Sequence, residues 1–355
     1  MRKFKIFKNK KILITGHNGF KGSWLSIWLS LLGAKVVGIS LPEKSLDNHF
    51  NLVKNKLKIK SFYCDIRNKK KIENIILKEK PDFAFHLAAQ SLVYKSILNP
   101  RFNWETNVVG LLNVLEALNK LKKKCTGIII TSDKCYKNLE QKKGYRETDI
   151  LGGVDPYSAS KASAEILFHS YFKTFIENKN NKLRLCTARA GNVIGGGDWS
   201  KNRLIPDCMK MWLKHKIPEI RNPNSTRPWQ HVLEALSGYL DLSLRLDRDK
   251  NINGHSFNFS SDKIKNVTVL QFLKKIKIKW PEINWNVKKN NQFYESSLLQ
   301  LDTTKVKKIL NWKARLDIDE TIEFVVNWYK NFQKNKKNTF KISREQIIQY
   351  MKKKT

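Results

Sequence analysis

Short apolar runs alternate with stretches in which apolar side chains recur every three or four residues, and this alternation holds through the first half of the chain. The runs predict buried strands at Ile12–Thr15, Lys35–Ser40, Ser61–Cys64, Phe83–Leu87, Gly127–Thr131 and Leu183–Arg189. Helical periodicity between them predicts helices near Lys21–Leu32, Lys69–Lys78 and Thr106–Leu121. Strand and helix in turn imply an α/β fold, a doubly wound parallel sheet. From about residue 190 the rhythm is lost, because Gly195, Gly196, Gly197, Pro206, Pro218, Pro223 and Pro228 break the chain into short pieces. We therefore expect a sheet domain over 1–189 and a smaller α/β lobe over 190–355. Parts near 230–260, such as Val232–Arg245, are expected to return to the first domain. The last twenty residues read as an amphipathic helix with a charged end.

Chemistry enters at the first strand-to-helix turn. Gly16-His17-Asn18-Gly19-Phe20-Lys21-Gly22 follows an apolar strand and opens a helix, the setting in which backbone N–H groups hold a pyrophosphate. Gly16, Asn18, Gly19, Phe20, Lys21 and Gly22 are the expected cofactor contacts, with Lys21 as an added cation beside the phosphates. This makes the sheet a Rossmann sheet binding a dinucleotide. The second strand ends in Ser40 without an acidic residue, and Glu43 arrives late; no arginine stands there for a 2′-phosphate. NAD is the expected cofactor, with NADP left open.

Tyr157 and Lys161, four residues apart, share one helix face. Asp155 suits the N-cap and Pro156 the first helical position. An ammonium one turn from a phenol favours the phenolate, which suits a base that removes an alcohol proton. Three polar clusters end neighbouring strands, where ligands of such sheets bind: Asp65-Ile66, Leu87-Ala88-Ala89 after His86, and Ser132-Asp133-Lys134. Asp65 is a candidate acceptor for an adenine amino group or a helix cap, and the small residues after His86 let a cofactor approach the backbone. Ser132, Asp133 and Lys134 add more acid-base capacity than alcohol oxidation needs.

Composition changes this picture little. The 355 residues are 41% hydrophobic, enough for a sizeable core. A formal charge of +37 invites a nucleic-acid reading, but lysines occur along the whole chain without an aromatic-lined basic stripe, so specific nucleic-acid binding is not expected. Five cysteines without C-x-x-C spacing imply reduced thiols and no metal. No run of eighteen apolar residues occurs and no apolar signal core precedes the first strand, so a cytoplasmic protein without membrane contact is expected.

The phrases Thr15–Leu25, His86–Val93, Thr131–Tyr136, Asp155–Lys161 and Arg189–Trp199 together resemble the extended short-chain dehydrogenase/reductases of the NAD-dependent epimerase/dehydratase family, and within it the lyases that dehydrate CDP-glucose. The resemblance covers nearly the whole chain. It implies an internal NAD redox cycle that converts CDP-glucose to CDP-4-dehydro-6-deoxyglucose and water. By the same resemblance Tyr157 is the base at the 4-hydroxyl, Lys161 its tuning cation and ribose contact, and Ser132 a hydrogen-bond partner. Asp133 is then the acid at the 6-hydroxyl and Lys134 assists at C5. Asn192 and Arg227 face the diphosphate, Arg203 and Arg221 are further candidates, and a homodimer or higher homo-oligomer is implied. An epimerase or dehydratase of GDP- or UDP-sugars and a non-catalytic dinucleotide sensor stay open as alternatives.

Overall fold

A computed structural model describes residues 2–141, 143–177, 182–264, 267–288 and 299–353. Its centre is a seven-stranded sheet. Strands β1 (Lys11–Thr15), β2 (Lys35–Ser40), β3 (Ile59–Tyr63), β4 (Phe83–His86), β5 (Cys125–Ile130) and β6 (Leu183–Ala190) follow the expected positions within two residues, and the seventh strand is Ser256–Phe259. The order is 3-2-1-4-5-6 followed by the seventh strand, and all pairings are parallel. A parallel sheet must be covered on both faces. The strand residues alternate accordingly between two cores, with Ile12, Ile14, Phe83 and Phe85 in one and Leu13, Val37, Ala84 and Ile129 in the other.

Helices α1 (Phe20–Leu31), α2 (His49–Val53), α3 (Lys69–Glu79), α4 (Val93–Leu98) and α5 (Pro100–Trp104) precede α6 (Gly110–Asn119), α7 (Pro156–Phe172), α8 (Leu204–Trp212) and α9 (Val232–Arg248). The helix expected over Thr106–Leu121 is found as α6, entered through a wide π-type turn at Glu105–Val109 that joins it to α5. That turn aims the Asn107 amide inward, where it donates to Gln90 O at 3.0 Å and to Ser160 Oγ at 2.9 Å, tying the end of β4 to α7. Helix α9 lies against β5 and β6, and the Ser256–Phe259 strand extends the sheet beside β6. The terminal helix, Thr339–Lys352, docks on α1 and α2.

Candidate active site

The turn after β1 is forced by close packing. Gly16 has φ +76°, and a Cβ there would stand 2.8 Å from Ala88 N; one on Gly22 would stand 2.0 Å from Gly16 O. Helix α1 is capped by Gly19 without a side-chain hydrogen bond, so no side chain occupies its N-terminus, as an anion site requires. Leu87 N and Ala88 N donate to Thr15 O and Thr15 Oγ1, so the small residues after β4 form the opposite wall. This cradle fits a dinucleotide pyrophosphate. At the tip of β2 the Ser40 hydroxyl is paired with His17 Nδ1 at 2.8 Å, and exposed Glu43 caps Ser45 N at 2.9 Å. Asp65 is engaged by Arg67, whose Nε and Nη2 reach it at 3.0 and 2.8 Å; the Ile66 carbonyl accepts from Asn113.

The Lys21 ammonium donates to Tyr239 Oη at 3.3 Å, on the side of Lys161 and Asp133. Burial, then the like charges of Lys161 and Arg203, pull its pKa down to about 7.

Helix α7 forms as its caps demand: Asp155 accepts from Ser158 N at 3.0 Å and Pro156 occupies the first turn. Tyr157 and Lys161 are both buried. The Ser132 hydroxyl bonds the Tyr157 phenol, and Asp133 and Arg203 are near enough to act on it electrostatically. Burial pushes the phenol pKa up, against the pull of Ser132 and Arg203. The Lys161 ammonium reaches Ile130 O at 3.5 Å, and burial lowers its pKa to about 8. Asp133 is 3% exposed and accepts from Ser132 Oγ at 2.9 Å, and burial holds its carboxyl above the usual range. A carboxyl pushed up by burial beside a tyrosine phenol brings an acid candidate and a base candidate into one pocket. His86 is bonded to Thr15 Oγ1 at 2.8 Å and pushed down to about 3 by burial, so it packs as a neutral ring.

The site continues toward the C-terminal half. A Cβ on Gly191 would lie 3.3 Å from Asp133 Oδ2 and 3.1 Å from Pro228, and Pro228 lines a cavity of about 330 Å³. Arg227, Thr226, Ser260, Asp302 and Lys307 share that lining. Arg227 therefore stands beside the pocket, whereas Asn192 is outside its lining, its backbone carbonyl accepting from Gln230 N at 3.0 Å. Arg203 spans Asp198 Oδ2 at 3.4 Å and Ser91 O at 3.1 Å, at the mouth facing Tyr157. Arg221 is exposed and outside the lining. Sequence reasoning missed Asn107, Glu165 and Arg189; the Glu165 spacing, one turn beyond Lys161, was the available signal.

The fold, cradle and acid-base pocket place the chain among nucleotide-sugar short-chain dehydrogenases, and it belongs to the GDP-mannose 4,6 dehydratase family, whose model matches residues 13–325. It is 38% identical to the CDP-glucose 4,6-dehydratase of Salmonella typhimurium over 97% of both chains. Solved structures agree in fold. A UDP-glucose-4-epimerase from Stenotrophomonas maltophila with bound NAD superposes with TM-score 0.79 at 17% identity, covering 92% of this chain and 99% of that one. A dTDP-glucose 4,6-dehydratase from Bacillus anthracis in complex with NAD gives 0.73 at 21%, covering 91% and 97%. Among the described residues no helix is long and apolar enough to cross a membrane, and no cluster suited to a metal ion occurs.

Proposed function

We propose that this protein is a CDP-glucose 4,6-dehydratase that forms CDP-4-dehydro-6-deoxyglucose and water. The observation that carries the reading is the single buried pocket shared by Tyr157, Ser132 and Asp133, opening at Gly191 toward the Arg227 cavity. The α1 cradle would hold NAD, which would supply a hydride acceptor for C4 and, in its reduced form, a hydride donor for C6. Tyr157 takes the proton of the 4-hydroxyl while Ser132 holds that oxygen, and Lys161 stabilises the phenolate. The new ketone acidifies the hydrogen on C5. Lys134 assists its removal, and Asp133, whose carboxyl burial holds above the usual range, gives a proton to the departing 6-hydroxyl, which leaves as water. Arg227, with Asn192 and Arg203, faces the diphosphate, and the 190–355 segments off the sheet hold the nucleotide half.

Two further parts belong to this proposal. Exposed apolar side chains on α4 to α7, namely Tyr94, Leu98, Trp104, Val109 and Ile166, form a face suited to a second copy of the chain. All five cysteines are buried free thiols, which suits the reducing cytoplasm. The test is to incubate purified protein and NAD with CDP-, UDP- and GDP-glucose and weigh the products. Loss of one water from CDP-glucose, without net reduced cofactor, is expected. Recovery of unchanged sugar, or of a 4-epimer of equal mass, would refute the reading.

A further inference from the structure

Glu165 follows Lys161 by one turn on the face of α7 that carries Tyr157, and it is fully buried. Its Oε1 accepts from the Thr131 hydroxyl at 2.5 Å. Its Oε2 accepts from Arg189 Nη2 at 2.7 Å, Thr187 Oγ1 at 2.9 Å and Ser256 Oγ at 3.0 Å. Four donors from β5, β6 and the Ser256–Phe259 strand or their ends thus converge on one carboxylate, the condition under which a buried charge is tolerated. Thr131 is the residue next to Ser132, so the bond fixes the corner from which the Ser132-Asp133-Lys134 triplet departs.

Lys161 has few other anions to face. The groups turned toward it from neighbouring elements are His86 at the end of β4, Lys21 from α1 and Cys135 after β5. Burial keeps His86 neutral and holds the Cys135 thiol protonated, and Lys21 is a like charge. The carboxylate that acts on the ammonium is Glu165, one turn along α7 and through space; Glu165 itself is paired with Arg189 and also faces His169 Nε2 at 3.8 Å.

We propose that Glu165 is a positioning residue of the proton relay: it is the anchor that holds the Thr131–Ser132 corner against α7 and, one turn from Lys161, the buried negative charge that acts on that ammonium through space. This rests on Tyr157 and Lys161 acting as that relay. Arg189 completes the device by keeping the carboxylate ionised, and is itself held by Tyr136 Oη at 2.8 Å.

The test follows single-turnover reduction of bound cofactor by CDP-glucose across pH, which isolates oxidation from the later elimination in which Asp133 acts. In Glu165→Gln the alkaline limb should fall by about one pH unit, the scale of one neighbouring charge. The rate at neutral pH should drop about tenfold with KM little changed. Glu165→Asp retains the charge, so its limb should return to the wild-type position, while hydrogen exchange over 127–135 quickens because the shorter side chain releases Thr131. Glu165→Gln strands the Arg189 guanidinium, so the charge-balanced Glu165→Gln/Arg189→Gln protein is measured beside it and should show the same limb. A wild-type limb in the neutral variants overturns the proposal. So does a Glu165→Asp protein whose limb moves, or whose exchange over 127–135 matches wild type; this variant keeps the ion pair and decides the matter even if the others fail to fold. Absence of turnover in the wild-type protein would instead refute the assignment of function.

Discussion

The pocket around Tyr157 and the cavity around Arg227 are built on opposite plans. In the first, Tyr157, Lys161, Asp133 and Ser132 are all buried, and burial has moved three of their proton equilibria. In the second the lining is polar and partly open, and its cations are balanced locally, Lys307 by Asp262 at 2.8 Å. Dry surroundings make each charge costly and each hydrogen bond directional; a wetter wall grips an anion without tuning it. Under the proposed function, the contrast assigns transition-state chemistry to the first region and ground-state affinity to the second.

Tyr157→Phe attacks the dry side directly and should give the largest effect, a loss of turnover of about 10²- to 10⁴-fold with cofactor affinity retained. Dehydration assays and cofactor titration check it, and near-normal turnover would dissolve the contrast. Lys134→Ala should slow elimination more than oxidation, so that reduced cofactor accumulates during turnover; spectra of the bound cofactor decide this. On the wet side, Arg227→Ala removes a charge-assisted contact of about 1.5–3 kcal/mol. KM should therefore rise about 10- to 100-fold while kcat moves much less, and a fall confined to kcat would reverse the assignment of the two regions.

Acidification tests the dry interior as a whole. His49, His86 and His231 are pushed to about 3 by burial, and His17 to about 4. Unfolded, each titrates near 6.5, so between that pH and the folded values the unfolded chain binds more protons. Stability is then complete above pH 6.5 and is lost as pH falls, by up to about 1.4 kcal/mol per pH unit for each ring. Thermal unfolding at a series of pH values should show Tm falling below pH 6, less so in His49→Asn. The smallest effect is expected at the surface: Lys336→Ala breaks an exposed pair with Asp47 and should change stability by less than about 0.5 kcal/mol.

Much of the dry region was legible in the sequence, because local signals carry it. Asp155 and Pro156 mark the start of α7, and apolar runs mark β1 to β6 within two residues. The seventh strand, Ser256–Phe259, was not, since four residues after a glycine have no distinctive period and gain their strand form only by pairing with β6. Sequence places the Lys21 backbone at the cradle but not the direction of its side chain, which meets Tyr239. Glu165 and Arg189 escaped for a related reason. A buried ion pair joins residues 24 apart through space, and neither residue differs in type from a surface charge. In the second region Arg221 was expected to approach the substrate and lies exposed outside the lining, while Asp302 and Lys307, drawn in from the far C-terminal segment, were not foreseen.

The lysine coat has a kinetic consequence. A molecule carrying +37 attracts any dianion long before contact, so capture of a diphosphate-bearing sugar should be fast in dilute buffer and slow steadily as ions shield the field. The chemical step, enclosed beneath helix and sheet, lies beyond the reach of that shielding. Adding salt would thus lengthen the search and leave the conversion of a captured molecule as it was.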